Sequence, residues 1–258
     1  MAMSMWQLPI FIFFILVIRY FLLSVLAYKF FWQWKKDTFS HLRIQKTFPK
    51  FEDLQREVIW SLSSFLVFSA GAFLVYIPIL SGHTKFYFDF EQYGLGYAIL
   101  SFILVLFIQD TYFYWIHRFM HMKWVFKYVH QTHHRSLNPS PLAVFAFHPL
   151  EAAIEWAFIV IAIFFIPLHP ITLSLFLLFS HAMNVIGHLG YEIFPSNFVR
   201  HPIFKWLNSS THHNMHHQHF SSNYGFYFNI WDRLLGTNNS RYEQAFSEIV
   251  QQQKKREN

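Results

Sequence analysis

There is no cysteine among the 258 residues of this chain. That absence excludes disulfides, iron–sulfur clusters and thiolate zinc sites together, so any metal must be held by nitrogen and oxygen, and redox compartment cannot be read from cysteine usage. Charge is scarce too, with 13% of residues charged, about half the share of a soluble domain. Glycine is thin: Gly94-Leu-Gly96 is the nearest approach to a dinucleotide loop, so no bound nucleotide is expected. The net charge of +6 arises from residues flanking apolar runs rather than forming a patch. Nucleic acid is therefore not an expected partner, whereas anionic lipid headgroups are.

What is present is apolar: 54% of residues are hydrophobic and 34 are phenylalanine. A membrane span needs about 20 such residues. Three candidates are 6–31, 60–80 and 97–116, the first interrupted by Arg19 and the third carrying Asp110. An arginine at the bilayer centre costs about 2.5–3.5 kcal/mol, so Arg19 is expected to snorkel or face protein. A fourth stretch, 151–188, is divided by Pro167 and Pro170 and reads as a helical hairpin that need not cross the whole bilayer. No basic leader or small-residue cleavage site precedes the first run, which reads as a retained helix. With no linker, repeat or low-complexity tract, 1–258 reads as a single integral-membrane domain. It is expected to be an all-α polytopic bundle of three spans plus the hairpin, capped by histidine-rich helices, with 243–258 as a polar, fraying tail.

Basic residues set the orientation. The segments 32–58, 118–135 and the tail from 190 hold 17 of the 20 Lys/Arg, whereas the loop 81–96 has only Lys85. The positive-inside rule places those three segments in the cytoplasm and the N-terminus outside.

Three histidine clusters then lie on the same cytoplasmic side: His117 and His121; His130, His133 and His134; and His213, His216 and His217. Residues three and four apart share a helix face, so these are a two-pronged and two three-pronged chelates of neutral imidazole. Eight donors exceed the four of a tetrahedral zinc site and imply two ions if all converge. His121 and His134 are 13 residues apart, about 220° around one helix axis, so the chain must break or bend within 122–130. Lone histidines such as His41, His83 and His169 read as surface or interfacial, and His148 as a packing or headgroup contact.

Ligating imidazoles usually donate their second N–H to a fixed acceptor. Asp110 shares a helix face with Tyr114, His117 and His121, and is the first candidate to orient His117 or a histidine of another cluster; the alternative is a structural hydrogen bond to another span. His188 is a candidate ninth ligand. Asn184, one turn earlier, would be a weak oxygen ligand or hold a water, and Glu192 would follow if the helix continues. His212 lies off the ligand face and is assigned a supporting role.

At QDTYFYWIHRFMH, VHQTHHRS, FHPLE, GHLGYEIFP and THHNMHH followed by NYGFYFNIWDRLLGT, the sequence resembles the fatty acid hydroxylase superfamily, which includes sterol desaturases and C-4 methylsterol oxidases. The resemblance covers roughly 98–240, taken as the catalytic region. It implies two non-haem iron ions held by the eight clustered histidines with His188, and O2-dependent hydroxylation or desaturation of a sterol or fatty-acyl lipid. Asn184 stands where the fatty acid 2-hydroxylase branch has the first histidine of a further pair, while the HRxxH spacing and the HLGYE segment lean toward the sterol-oxidase side. Electrons must come from a separate reductase, ferredoxin or cytochrome b5-like donor. The expected setting is a bacterial inner membrane or the endoplasmic reticulum, with the site on the cytoplasmic side. A metal transporter or metal-binding protein is the competing reading, and it would place its site near the bilayer midplane. A membrane zinc hydrolase would need a carboxylate base, and no HExxH provides one.

Overall fold

A computed structural model describes residues 6–257, with side chains described as far as Gln251. The expected chain ends, Met1 to Met5 and Asn258, lie outside the described residues. Helix α1 (Gln7–Trp34), α2 (Phe51–Leu80) and α3 (Gly94–Met120) are long and apolar enough to cross a membrane. Their lipid-compatible faces carry exposed Phe11, Phe14, Ile18, Leu66, Leu74, Ile99 and Ile103, as expected where the surrounding solvent is hydrocarbon. After α3 come the short helices α4 (Lys123–Val129) and α5 (Gln131–His134), then α6 (Pro149–Phe165), α7 (Pro170–Gly187), α8 (Ser210–His219), α9 (Ile230–Leu234) and α10 (Tyr242–Glu257). Among the described residues there is no strand, only isolated bridges.

Proline and histidine together start the hairpin helices. Pro149 and Pro170 occupy first-turn positions, where the missing N–H would have no partner anyway. The preceding His148 and His169 each accept an N–H through Nδ1, from Leu150 (3.3 Å) and Ile171 (3.2 Å). These two lone histidines are thus helix caps, and His169 is buried. The hairpin also runs further than the sequence required. Its turn meets the loop between α2 and α3, where Lys85 N–H donates to Ile163 (2.8 Å) and Tyr87 N–H to Leu168 (3.1 Å). The hairpin therefore extends to the end of the bundle opposite the histidines, and α7 is itself long and apolar enough to span.

At the histidine end the chain breaks at Met122, which is extended (φ −63°, ψ 134°), and turns again at His130. This satisfies the phase constraint between His121 and His134. The irregular segment that follows is buried, so its carbonyls need donors. Tyr20 Oη and Ser61 Oγ donate to the Leu142 carbonyl (2.8 and 3.2 Å), and Ser64 Oγ to that of Phe145 (2.8 Å). Buried Glu57 accepts from Ser136 (2.7 Å) and Ser140 (2.6 Å). Two spans thereby fasten the loop that leaves α5. The segment read as a polar tail forms α10, whose Tyr242, Phe246 and Val250 pack on Phe198, Val199 and Met215.

Gly190 shows how tightly the end of α7 is seated. It adopts φ +76°, and a Cβ there would stand 2.3 Å from the Trp32 ring, whose Nε1 donates to the Leu189 carbonyl (2.8 Å). Gly190→Ala is expected to cost at least about 2 kcal/mol, lowering Tm by roughly 5 °C in a thermal melt of the purified protein.

Candidate metal centre

Each histidine is presented by a local device. His117 lies on the last turn of α3, and His121 caps that helix. His130 precedes α5, which carries His133 and His134. His188 caps the C-terminus of α7, and α8 carries His213, His216 and His217. Their ligand atoms gather into two groups, each with all donors within 4.8 Å: His117, His121, His130, His134 and His216; and His133, His188, His213 and His217. Each three-pronged cluster is divided between the groups instead of turning one face to one ion. The groups adjoin, with the His134 and His217 rings 4.7 Å apart.

Hydrogen bonds decide which nitrogen faces inward. His117, His216 and His188 donate Nδ1–H to the carbonyls of Tyr224 (2.8 Å), Ser222 (2.7 Å) and Asn184 (3.0 Å). A carbonyl only accepts, so each of these Nδ1 atoms carries the proton and each neutral ring turns a bare Nε2 lone pair into the site. His130 donates Nδ1–H to the buried Glu151 carboxylate (2.7 Å), with the same result. Yet the Nε2 atoms of His117 and His130 stand 3.0 Å apart, those of His216 and His134 3.0 Å, and those of His188 and His213 3.2 Å. His117 and His130, both with Nδ1 protonated, face each other with two bare lone pairs, which repel unless something positive lies between them. Bonds of about 2.0–2.1 Å to one ion put two nitrogens about 3.0 Å apart at a right angle and about 3.4 Å apart at the tetrahedral angle. The donor set therefore fits two metal ions.

Burial holds the rings neutral. His121 is pushed down to about 2, first by desolvation and then by neighbouring His117. His130, His133, His134, His213, His216 and His217 all fall well below the usual imidazole range, first by burial and then by other histidines.

The supporting residues differ from the sequence expectation. Asp110 touches no histidine; its Oδ1 accepts the backbone N–H of Tyr227 (2.7 Å) and Phe228 (3.1 Å). Asp232 fixes the same loop by accepting from Tyr224 (2.9 Å) and Gly225 (2.8 Å). Together they hold the loop whose carbonyls orient His117 and His216. Asn184 uses its carbonyl on His188, while its side-chain amide donates to Val144 (2.7 Å), outside both groups. Helix α7 ends before Glu192, which instead accepts from Thr211 N–H (3.0 Å) and Oγ1 (2.7 Å) and anchors the first turn of α8, a favoured place for a carboxylate. His212 points away from both groups: its Nε2 is 3.9 Å from Asp232 and its ring packs on Tyr242. Glu151 was missed, although among the described residues it is the one carboxylate hydrogen-bonded to a clustered histidine; its signal was an acid at the start of an apolar helix, in FHPLE.

A sequence profile of the fatty acid hydroxylase family matches residues 102–237, which include all nine histidines. The chain is 32% identical over 225 residues to lathosterol oxidase of Homo sapiens, covering 85% of this chain and 70% of that protein. It is 31% identical over 233 residues to a Delta(7)-sterol 5(6)-desaturase of Aspergillus fumigatus, covering 89% and 61%. A Delta(7)-sterol 5(6)-desaturase of Schizosaccharomyces pombe is 31% identical over 208 residues, covering 76% and 66%. No solved structure matches the chain.

Elemental analysis of the purified protein should find two metal ions per chain, and His213→Ala/His217→Ala should retain one. A wild-type protein saturating at a single ion contradicts the two-group arrangement. Acid should act in a defined direction. The folded rings have lowered pKa values, so stability is full above the ordinary value of about 6.5 and declines as the pH falls below it. Melting temperature and metal content measured between pH 7 and 4 should fall together.

Proposed function

Because the chain belongs to the fatty acid hydroxylase family, we propose that it is a membrane-bound oxidoreductase that hydroxylates or desaturates a lipid, with sterols the substrate class to which its relatives' names point. One observation carries the reading: nine imidazoles, buried or half-buried, form two adjoining groups, at the end of a membrane-compatible helical bundle. Nitrogen-only donors suit iron among several metals, and iron is the redox-active choice. Bound at the two groups, two iron ions would supply O2-dependent cleavage of an unactivated C–H bond, chemistry that no side chain performs unaided.

The protein's own contribution is placement. Glu151 and the carbonyls of Ser222, Tyr224 and Asn184 keep the Nδ1 protons outward and the Nε2 atoms inward. Asp110 and Asp232 keep the loop 224–228 in register. Phe113 packs on His117 (4.9 Å between rings) and Phe147 on His133 (5.1 Å), so an apolar wall stands between the centre and the bundle interior. Such a wall excludes water and leaves the substrate carbon in a dry slot. Electrons would come from a separate reductase, ferredoxin or cytochrome b5-like protein, and the basic segments favour a cytoplasmic approach.

A metal transporter is less well supported. Its site belongs near the bilayer midplane, whereas these groups lie at helix ends. A zinc hydrolase lacks a carboxylate base, since neither group contains an acidic side chain.

Lipid mass spectrometry of cells expressing the wild type and His133→Ala tests the proposal. The wild type should generate a lipid that has gained one oxygen or lost two hydrogens, absent from the variant. The iron-loaded protein should consume O2 only when reductant and lipid are both present. O2 use independent of lipid, or identical lipid profiles, would overturn it.

A further inference from the structure

A small cavity of about 110 Å³ lies on the bundle side of Phe113 and Phe147, and Arg19, Glu155 and His181 also line it. A second cavity of about 560 Å³, overwhelmingly apolar, adjoins it between α1, α2, α6 and α7, and Arg19 lines both. Arg19 thus stands where the small cavity behind Phe113 and Phe147 meets a lipid-sized apolar chamber.

The polar groups at this junction are unusual. Arg19 lies within the first membrane helix, and its Nε is buried without a hydrogen-bond partner. An intramembrane cation of this kind marks a functional position unless it is paired, and no ion pair to it is found among the described residues. His181, 1% exposed, is tethered through Nε2 to Ser24 Oγ (2.9 Å), and its Nδ1 is also buried without a partner. Ser24 sits in a π-helical turn of α1, at Phe21–Val25, a local irregularity that often accompanies binding sites. Neither Arg19 nor His181 belongs to a metal group. Two buried, unpartnered nitrogens on one cavity wall, Arg19 Nε and His181 Nδ1, call for a ligand atom that can satisfy them.

We propose that Arg19 and His181 form an anchor for a hydroxyl group on the lipid substrate. Arginine can only donate, histidine can donate or accept, and Glu155 adds an acceptor to the same cavity, so a group that both donates and accepts suits the set. His181 and His188 are seven residues apart along α7, about 10 Å. The anchored oxygen and the reacting carbon are accordingly expected to lie on the order of that distance apart. The hydroxyl-bearing part of the lipid enters the small cavity, and the apolar remainder fills the larger one. This inference rests on the lipid-oxidising reading and deepens it by naming the feature that selects and orients the substrate.

The test is equilibrium binding of tritiated cholesterol and its 3-deoxy counterpart to the full-length protein in lipid nanodiscs. Metal content serves as the check on folding. A hydrogen bond to a charged donor corresponds to a preference of about tenfold or more for the hydroxylated sterol. Arg19→Met and His181→Phe should each reduce that preference to about twofold or less with metal content unchanged, while Arg19→Lys should keep most of it. Equal binding of the two sterols by the wild type, including binding of neither, overturns the anchor, as does a preference that survives both variants. Should either variant lose its metals, Ser24→Ala replaces it and must weaken the same preference. Binding requires no turnover, so a protein that keeps the preference but never consumes O2 would count against the oxidoreductase reading alone.

Discussion

The bare Nε2 atoms of His117 and His130, facing one another at 3.0 Å, are the constraint on which this molecule is organised. Without a cation between them such contacts are repulsive, and in a buried, poorly solvated site the repulsion is little screened. Holding rings in that state takes a scaffold that fixes the proton on the outer nitrogen. Three backbone carbonyls and one carboxylate do so for four of the nine. A carbonyl is a good choice because it cannot donate and so admits one tautomer only.

The scaffold is assembled from both ends of the chain. Asp110, on a membrane helix, and Asp232, after the last cluster, grip one loop and thereby set the Tyr224 carbonyl against His117. Glu192 fixes the start of α8, and Glu57 fixes the loop leaving α5 through two serines. Acidic residues are few in this chain, and these four, together with Glu151, bind backbone or hydroxyl donors or a histidine rather than Lys or Arg. That use matches the setting. A carboxylate near a membrane needs several donors, and a buried ion pair would add a second charge to desolvate.

The membrane explains the division between the two ends of the bundle. Apolar faces of α1, α2 and α3 turn outward, while the buried positions along them include the hydroxyls of Tyr20, Ser24, Ser61, Ser64 and Ser101. Small hydroxyls satisfy the irregular 136–147 segment from within helices whose own backbone is already bonded. The cavities follow the same logic: the larger one at the hairpin end is almost wholly apolar, and the smaller one adds Gln109, Glu155, Ser180, His181 and Asn184 to its lining.

Hydropathy, proline placement and histidine spacing made the helices, the hairpin, the break after His121 and the histidine set legible, because each depends on helical periodicity or on the length of an apolar run. The same spacing misled about grouping. Three histidines on one face of α8 reach two positions because their neighbours arrive from α3, α5 and α7 at different angles. Asp110 shares the His117 face in projection, yet the folded loop 226–228 claims its carboxylate, and Glu151 gave no spacing signal because its partner His130 is 21 residues away. The sequence by itself determined which donors exist and that they must lie at one end of a membrane bundle, since periodicity and hydropathy are properties of the local chain. Only the tertiary structure decided which nitrogen His117, His130, His188 and His216 present, which histidines gather into one group, and that Arg19 faces a cavity, because each of those depends on contacts between segments that no local pattern encodes.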